Sequence, residues 1–285
     1  MALDISQRIR KIYSTLSKGQ KRIANAVLYE YETVSLMTAG RLGYKAGVSE
    51  STVVRFARVL GYESYSEFQG AVVELAKSKL TPNQRIDMTK QRIGKSDVLE
   101  SVMNSDMSKI RHTLETLDRS AFFNSIDSIL AAKTIYIIGT RSSEPIAQIL
   151  NYNLSLIFDN VKFVDTSSSS EVFEQMFSIG ENDVLIAFSF PRYSTRVVKA
   201  IKFAQSMGAK TIACTDSKIS PLAQYATYLL LAQSDMASYM DSLVAPISLI
   251  NAMIVEITSR CEKQIRQRFD KLEDIWQEYS IYEKI

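Results

Sequence analysis

The first part of the chain has apolar residues at the spacing of α-helices. They recur every three or four residues from Ile5 onward, and again in a segment that begins at Ser17. Ser17 and Gln20 match a capping box, in which the two side chains satisfy the first amides of a helix. A further amphipathic segment follows Gly61. Since this spacing corresponds to one helical turn, it predicts an all-α unit over residues 1–78.

Residues 38–61 have the pattern of two short helices joined by a tight turn at Gly47-Val48-Ser49. Ser49 is a good N-cap for the second helix, because its hydroxyl can accept a hydrogen bond from a backbone amide. Gly61 suits the left-handed conformation that ends many helices. At about 100° per residue the second helix has two distinct faces. Its apolar face holds Val53, Phe56, Ala57 and Leu60, and its outer face holds Ser51, Arg55 and Arg58, with Thr52 at the margin.

Hydroxyl and guanidinium groups on an outer helix face fit phosphates and base edges in the major groove of DNA. The alternative is an ordinary helical hairpin with solvated arginines. Residues 1–77 carry 11 basic and 7 acidic side chains, a net charge of +4, whereas the remaining 208 carry 23 and 24, a net charge of −1. Local positive charge favours nucleic-acid binding. The pattern therefore predicts a helix-turn-helix DNA-binding domain, with contacts from Ser49, Ser51, Thr52, Arg55 and Arg58.

The pattern changes along the rest of the chain. Residues 79–97 are polar and are interpreted as a linker, and residues 98–132 as bridging helices. From residue 133 to residue 285, short apolar runs alternate with helical stretches, which is typical of a parallel sheet covered by helices. An α/β domain with a parallel five-stranded sheet flanked by helices is therefore predicted after the all-α domain. Its strands are predicted at 134–138, 161–164, 183–188, 211–215 and 228–232.

Three hydroxyl-rich loops follow predicted strands: Gly139–Ser143, Asp165–Ser170 and Ser189–Thr195. In such sheets, ligands bind outside the carboxyl ends of the strands. Serine hydroxyls and backbone amides at a helix N-terminus bind anions. The loops therefore predict a site for a phosphorylated, hydroxylated small molecule. The candidate ligand-binding residues are Thr140, Ser142, Ser143, Ser189, Arg192, Ser194 and Thr195.

Several of these motifs together resemble a known family. The run Glu50-Ser-Thr-Val-Val-Arg-Phe56, followed by Leu60-Gly61, resembles the DNA-binding domain of MurR/RpiR-family transcriptional regulators. Segments 137–143, 188–195, 208–217 and 220–223 resemble the sugar isomerase (SIS) domain that follows it in that family. The resemblance covers nearly the whole chain in the family's domain order. It implies a homo-oligomer, dimer or tetramer, that binds operator DNA and senses a phosphorylated sugar effector.

Carried over by position, Ser142 and Ser143 match the family's first phosphate loop. Ser189 and Ser194 match its second loop, which in many SIS domains reads Ser-x-Ser-Gly-x-Thr. Here Pro191 and Arg192 replace the middle serine and the glycine. The proline supplies neither a hydroxyl nor an N–H donor. The arginine can contact a phosphate or carboxylate, or can form a salt bridge.

The composition limits the other classes of function. Two cysteines and the single His112 support neither a disulfide framework nor a typical zinc site, and no metal, cofactor or catalytic residue is predicted. A sugar-phosphate isomerase needs a general base, and the only carboxylate placed near the first loop is Glu144. The rival to a sensor is a SIS domain that acts only in dimerisation. We therefore expect a regulator rather than an enzyme.

The chain has neither a signal-peptide core nor a run of the roughly 18 apolar residues that a membrane span needs. A cytoplasmic protein without a membrane partner is therefore expected. The stretch Leu243–Ile257 has more apolar residues than one core-facing stripe requires. It predicts a helix that lies partly at a subunit interface. The alternative is a helix buried wholly within one domain.

Overall fold

The computed structural model describes residues 5–94, 97–168, 171–236 and 238–282. The chain divides into two compact units, Met1–Gly94 and Lys95–Ile285. Each has its own hydrophobic core.

The first unit is built from helices. A 3₁₀ turn, Tyr13–Thr15, follows the first of them. The helices are α1 (Ile5–Ile12), α2 (Lys18–Tyr29), α3 (Tyr31–Val34), α4 (Ala39–Ala46), α5 (Glu50–Val59), α6 (Tyr65–Lys79) and α7 (Pro82–Ile93).

The core of the first unit is aromatic and aliphatic. The rings of Phe56 and Phe68 meet edge to face at a centroid distance of 5.9 Å, and Leu42 is fully buried. The predicted capping box of Ser17 and Gln20 is present at the start of α2. Local sequence signals therefore place the helices, and burial of their apolar faces holds them together.

Residues 79–97 contain α7, where the sequence was interpreted as a linker. Thr81 and Gln84 form a capping box, and Pro82 occupies the first helical position, which its fixed φ favours. The side-chain amide of Gln84 donates a hydrogen bond to the carboxylate of Glu32, and Thr89 is buried. The first compact unit therefore extends to Gly94, beyond the predicted limit at residue 78.

The second unit is the predicted α/β domain. Its helices are α8 (Val98–Thr116), α9 (Arg119–Ala131), α10 (Ser143–Ile157), α11 (Glu171–Gln175), α12 (Thr195–Ser206), α13 (Val244–Arg260) and α14 (Glu262–Glu278). Its strands are β1 (Ile135–Gly139), β2 (Val161–Phe163), β3 (Val184–Phe188), β4 (Lys210–Thr215) and β5 (Tyr228–Leu231). The strands form one parallel sheet in the order β2-β1-β3-β4-β5, so the prediction of a five-stranded parallel sheet is confirmed.

Two cores cover the two faces of this sheet. On one face α9, α10 and α13 contribute to a cluster that includes Leu150 and Ile250. On the other face α11 and α12 contribute to a cluster that includes Met176 and Ile201. With both faces covered, the central strands β1 and β3 are buried along their whole length, as their continuous apolar runs require.

Most of the apolar side chains of α13 are buried within this domain, among them Leu249, Ile250 and Met253. Val255 points outward and is 62% exposed. Burial within one domain therefore accounts for most of the apolar excess in this helix. The predicted subunit interface stays a prediction, and on α13 it can involve only a narrow outer face.

Among the described helices, none alone is long and apolar enough to cross a membrane. Helix α13 and residues 265–278 of α14 meet the length and composition criteria only when taken together, across a bend of 106°.

Candidate functional site

The first candidate site is the helix-turn-helix formed by α4 and α5. Gly47 has φ +63° and ψ +42°, the left-handed conformation that ends α4. The amide of Val48 donates to the carbonyl oxygen of Gly43 at 2.9 Å. A Cβ on Gly43 would lie 2.9 Å from the Val48 oxygen, so only glycine allows the helix and the turn to approach this closely.

The turn is also held from α2. The guanidinium of Arg22 donates to the carbonyl oxygens of Ala46 and Gly47, at 2.6 and 2.8 Å. These are the last carbonyls of α4, which have no partner within the helix itself. Sequence analysis missed Arg22, because its role depends on a contact between residues 24 positions apart.

Ser49 caps α5 as predicted. Its hydroxyl oxygen accepts from the amide of Thr52 at 3.3 Å and lies 2.9 Å from the hydroxyls of Ser51 and Thr52. The three hydroxyls therefore form a connected group at the N-terminus of α5. The positive end of the helix dipole points toward the same place, which makes this group a suitable contact for a DNA phosphate.

The two faces of α5 separate as the periodicity predicts. Val53, Phe56, Ala57 and Leu60 are buried, whereas Ser51, Arg55 and Arg58 are exposed. The Nε of Arg55 donates to the Ser51 carbonyl oxygen at 3.3 Å, so this side chain lies along the outer face of the helix. Tyr44 on α4 is 91% exposed. An exposed face of this kind can enter a major groove and read base edges.

The second candidate site lies at the carboxyl edge of the sheet. After β1, Arg141 has φ +56°, and the amides of Ser143 and Glu144 donate to the carbonyl oxygens of Thr140 and Arg141, both at 3.1 Å. Ser142 is exposed and makes no capping hydrogen bond with α10. A left-handed residue shortly before a helix is a feature of the backbone nests that bind anions.

Gly139 permits this arrangement. A Cβ on this residue would lie 2.5 Å from the carbonyl oxygen of Ser143 and 2.8 Å from the Cβ of Ala147. The end of β1 therefore packs directly against the first turn of α10. Ser143 is buried as a result, so its hydroxyl is less accessible to a ligand than that of Ser142.

The loop after β3 has the same kind of backbone conformation. Arg192 has φ +64° and its side chain is exposed. The hydroxyl of Ser189, which is 3% exposed, accepts from the amide of Ser194 at 3.1 Å. Ser194 makes no capping hydrogen bond through its own side chain, and Thr195 is exposed at the start of α12. Ser189 therefore shapes the loop, and Ser194 and Thr195 present their hydroxyls at its surface.

The sheet register brings the two loops to one edge. Gly139 pairs with Phe188, so the loops after β1 and β3 leave the sheet side by side. Residues at the end of β4 support the loop after β3: the hydroxyl of Thr215 donates to the carbonyl oxygen of Ser189 at 2.7 Å, and that of Tyr193 donates to Asp216 Oδ1 at 2.9 Å. Sequence analysis did not assign these supporting residues. The signal available was the position of Thr215 and Asp216 at the end of a predicted strand.

The loop after β2 completes the same edge. The amide and hydroxyl of Ser167 donate to the carboxylate of Asp165 at 2.8 and 3.0 Å, and these hydrogen bonds lower the pKa of that carboxyl group. The guanidinium of Arg196 on α12 donates to the carbonyl oxygen of Thr166. This loop is therefore tied to the helix that follows β3. Ser169 and Ser170, the end of the predicted serine run, lie outside the described residues.

The remaining candidates for chemistry have other environments. Cys214 is buried in β4, and desolvation raises the pKa of its thiol to about 12, so it is a packing residue rather than a nucleophile. His112 is exposed on α8. Glu144 accepts a hydrogen bond from the side chain of Gln148 at 3.2 Å. Within the described residues, no group of three or more His, Cys, Asp or Glu side chains could hold a metal ion.

Two family models match the chain. The helix-turn-helix domain of the rpiR family matches residues 3–79, and the SIS domain matches residues 128–256. An HTH-type transcriptional regulator from Haemophilus influenzae is 26% identical over 278 residues, which cover 93% of this chain and 94% of that one.

Solved structures show the same fold. The Vibrio vulnificus NanR protein, in a complex with ManNAc-6P, has a TM-score of 0.61 at 18% identity and covers 96% of this chain and 98% of its own. The sugar isomerase domain of an RpiR transcription factor from Sphaerobacter thermophilus has a TM-score of 0.58 at 23% identity and covers 61% of this chain and 97% of its own. With its two domains in the order that the two models give, the chain belongs to the RpiR family of helix-turn-helix transcriptional regulators that carry a SIS domain.

Proposed function

We propose that the protein is a regulator whose SIS domain binds a phosphorylated sugar and thereby changes the affinity of α5 for operator DNA. The observation that carries this proposal is the pair of loops after β1 and β3. Each places a non-glycine residue in the left-handed region shortly before a helix: Arg141 lies two residues before the start of α10, and Arg192 three residues before the start of α12. Backbone strain of this kind is typical of ligand sites, because it is maintained only where the surrounding structure enforces it.

The ligand contacts follow from exposure. The phosphate would lie at the N-termini of α10 and α12, where the helix dipoles favour negative charge. Ser142, Ser194 and Thr195 are partly or fully accessible there, and Thr140 is partly accessible. Ser143 and Ser189 are buried and serve the loop backbone. The guanidinium of Arg192 lies in place of the family's glycine and is available to an anionic group.

The experiment that tests this proposal is a titration of the DNA complex with a panel of phosphorylated sugars, including neutral, amino and acidic ones. Coupling requires that the effector bind the DNA-competent and DNA-incompetent arrangements unequally. A typical coupling of about 1–3 kcal/mol would change operator affinity by roughly 5–150-fold. If no sugar phosphate binds the protein, the sensing function is excluded, and a SIS domain used only for dimerisation is favoured.

An isomerase activity is the weaker alternative. Aldose–ketose isomerisation needs a base positioned to move a proton between adjacent carbons. At the two loops, Glu144 is engaged with Gln148, and it lies where a helix dipole favours any acidic residue. Conversion of an aldose phosphate to a ketose phosphate by the purified protein, abolished in a Glu144→Gln variant, would support the isomerase instead.

We infer that the protein acts as a homo-oligomer, and that its second unit supplies the interface. Helix α8 carries an exposed apolar stripe of Leu99, Met103, Met107 and Leu114, each more than 55% exposed, and it packs on α13. Exposed apolar surface of this extent is typical of an interaction site. Sedimentation of a Met107→Glu/Leu114→Glu variant should show a smaller species than the wild type. Ser108→Glu/His112→Glu adds the same two charges at exposed positions on another face of α8 and serves as the control.

A further inference from the structure

Helix α14 and its C-cap residue leave most of their apolar side chains uncovered. These side chains recur at intervals of four and three residues, the heptad spacing of a coiled coil: Ile265, Phe269, Leu272, Trp276 and Tyr279. Among the described side chains of α14, Ile265 alone is buried. The other four, which we call the α14 seam, are half-buried or exposed. Because helices in proteins are stabilised mainly by burial of an apolar face, the seam calls for a partner.

The second unit holds α14 by its first half. Arg268 Nη1 forms an ion pair with Asp159 Oδ1 at 2.7 Å, and Arg268 Nη2 donates to the Ser155 carbonyl oxygen at 3.4 Å. These contacts fix the helix beside the end of α10. A groove of about 420 Å³ lies there, lined by Ile157, Gln267, Arg268, Lys271, Leu272 and Ile275. Leu272 belongs to both the groove and the α14 seam, so the two form one continuous surface.

The far end of α14 is organised around aromatic side chains. Ser280 has φ +50°, and the amide of Ile281 donates to the Trp276 carbonyl oxygen at 2.9 Å, which ends the helix in a Schellman motif. The ring of Tyr282 then meets that of Trp276 edge to face at a centroid distance of 5.4 Å. Tyr279 and Tyr282 are 68% and 62% exposed. Accessible aromatic side chains of this kind are typical anchors of protein interfaces.

The charges of α14 are divided between its two halves. Residues 262–271 carry four basic and two acidic side chains, a net charge of +2, whereas residues 272–282 carry three acidic and no basic ones, a net charge of −3. Parallel pairing of two copies would bring like charges together. In an antiparallel pair with a two-fold axis at Leu272, each basic half lies along the acidic half of the other copy. Since two-fold symmetry repeats every contact, this charge complementarity acts twice.

We propose that α14 pairs antiparallel with α14 of a second copy of this chain, with Leu272 at the two-fold axis and Phe269 of each copy facing Trp276 of the other. The groove beside α10 takes side chains from the acidic half of the other copy. This surface is separate from the apolar stripe on α8. A chain with two self-complementary surfaces assembles into a closed tetramer in which each copy uses each surface once. The inference goes beyond the sensing function and does not depend on an effector.

The test uses the full-length protein and its single tryptophan, Trp276. The fluorescence of Trp276 reports burial of the α14 seam directly. In the wild type, dilution should separate the pair, move the emission to longer wavelength and increase quenching by iodide. Leu272→Glu places a charge at the centre of the pair and should weaken it by roughly 30-fold or more, as for an interface hot spot. Its emission should lie at the longer wavelength at concentrations at which the wild type is assembled.

Gln277→Glu is the matched control. Gln277 is exposed and lies about 140° around the helix from Leu272, so the same charge there should leave emission and sedimentation as in the wild type. The Met107→Glu/Leu114→Glu variant should keep the wild-type emission, because its substitutions lie on α8. Sedimentation should show half-sized species for Leu272→Glu and for the α8 variant, and single chains when the two sets are combined.

Cysteine cross-linking tests the orientation of the two helices, in a Cys261→Ser background. In the antiparallel pair, equivalent Phe269 residues lie about seven positions, or roughly 10 Å, apart along the axis, beyond the reach of a disulfide. Oxidised Phe269→Cys chains alone should therefore stay uncross-linked. An equimolar mixture of Phe269→Cys and Trp276→Cys chains should give a covalent dimer on non-reducing electrophoresis.

The outcomes that would overturn the pairing are distinct from those for sensing. Wild-type emission and sedimentation in Leu272→Glu would show that α14 does not pair. Cross-linking of Phe269→Cys chains with one another would overturn the antiparallel arrangement. A half-sized species from the α8 variant together with unchanged Leu272→Glu would leave α8 as the interface. Binding of sugar phosphates is measured separately, so the pairing can fail while the sensing function stands.

Discussion

The two candidate sites differ in what directs their functional groups. On α5 the backbone is a regular helix, and Ser51, Arg55 and Arg58 face outward because of their spacing. At the sheet edge the backbone is irregular, and the direction of the groups depends on two residues with positive φ. Non-glycine residues rarely adopt this conformation. Of the three that do so among the described residues, Arg141 and Arg192 lie in these loops.

The two sites should therefore respond differently to substitution. A side chain on the outer face of a regular helix can be replaced with little effect on the fold, so its loss affects binding alone. A strand-end loop depends on close backbone contacts, so a change there affects both stability and binding. Substitutions on the outer face of α5 should therefore change DNA binding alone, whereas substitutions in the strand-end loops should change both stability and ligand binding.

The largest effect is expected at the end of β1. Gly139→Ala places a Cβ 2.5 Å from the Ser143 carbonyl oxygen, so the strand and α10 must move apart. We expect a loss of about 3 kcal/mol in the free energy of unfolding, the upper end of the usual cost of overpacking. Chemical denaturation monitored by circular dichroism measures this loss.

Gly70→Ala is the control for that substitution. Gly70 lies in α6, and a Cβ there meets nothing within 4 Å. Alanine favours a helix interior over glycine by about 1 kcal/mol, so this change should stabilise the protein. If both substitutions changed the free energy of unfolding in the same direction, the close contact between Gly139 and α10 would be wrong.

The next effect concerns DNA. Arg55→Ala should cost about 1–3 kcal/mol in operator affinity if the guanidinium reads a base edge, with little change in the melting temperature. Fluorescence anisotropy with a DNA fragment selected from a random pool measures this cost. Arg10, exposed on α1, gives a charge-matched control. Equal affinity of Arg55→Ala and the wild type would show that α5 does not read the DNA.

Ser142→Ala tests whether the effector binds at the carboxyl edge of the sheet. A hydrogen bond to a charged group contributes about 1.5–3 kcal/mol, so effector affinity should fall by roughly 10-fold or more while operator affinity stays unchanged. Ser206 is the last residue of α12, at the end of this helix away from the loop after β3, and its hydroxyl donates to the Phe203 carbonyl oxygen. Ser206→Ala therefore should leave the effector response intact. An undiminished response in Ser142→Ala would place the ligand elsewhere.

The smallest of the predicted free-energy changes is the gain in stability of Arg192→Gly, which introduces the glycine common in SIS domains. Glycine adopts the observed φ of +64° without steric cost. Its greater freedom in the unfolded chain offsets part of that gain, so stability should rise by only about 0.5 kcal/mol. Effector affinity should fall, because the guanidinium is lost. Unchanged affinity would mean that Arg192 has no contact with the ligand.

Much of the fold was predictable, because its signals are local. The outward face of α5 follows from a period of 3.6 residues, and the central strands follow from continuous apolar runs. Helix α7 could also have been predicted, since Thr81, Pro82 and Gln84 are recognisable start signals. Its polar composition concealed it, because it lacks the broad apolar stripe of the other helices.

The site at the sheet edge was predictable only in outline. The serines of both loops are visible in the sequence, but their roles are not. Ser189 and Ser194 occupy similar positions by pattern, yet one hydroxyl is buried against a backbone amide and the other is accessible. Burial depends on how the end of β4 packs under the loop, and Thr215 reaches Ser189 across 26 residues of chain.

The order of domains, the helix-turn-helix and the parallel sheet follow from the amino-acid sequence alone, since helix and strand periods and capping signals act over a few residues. Tertiary packing determines which hydroxyls are accessible, that Arg22 holds the turn after α4, and that Lys109 and Ser234 are buried. These features depend on residues that are far apart along the chain. Burial and hydrogen bonding at these positions come from segments 24 to more than 100 residues away, whose approach no local pattern records.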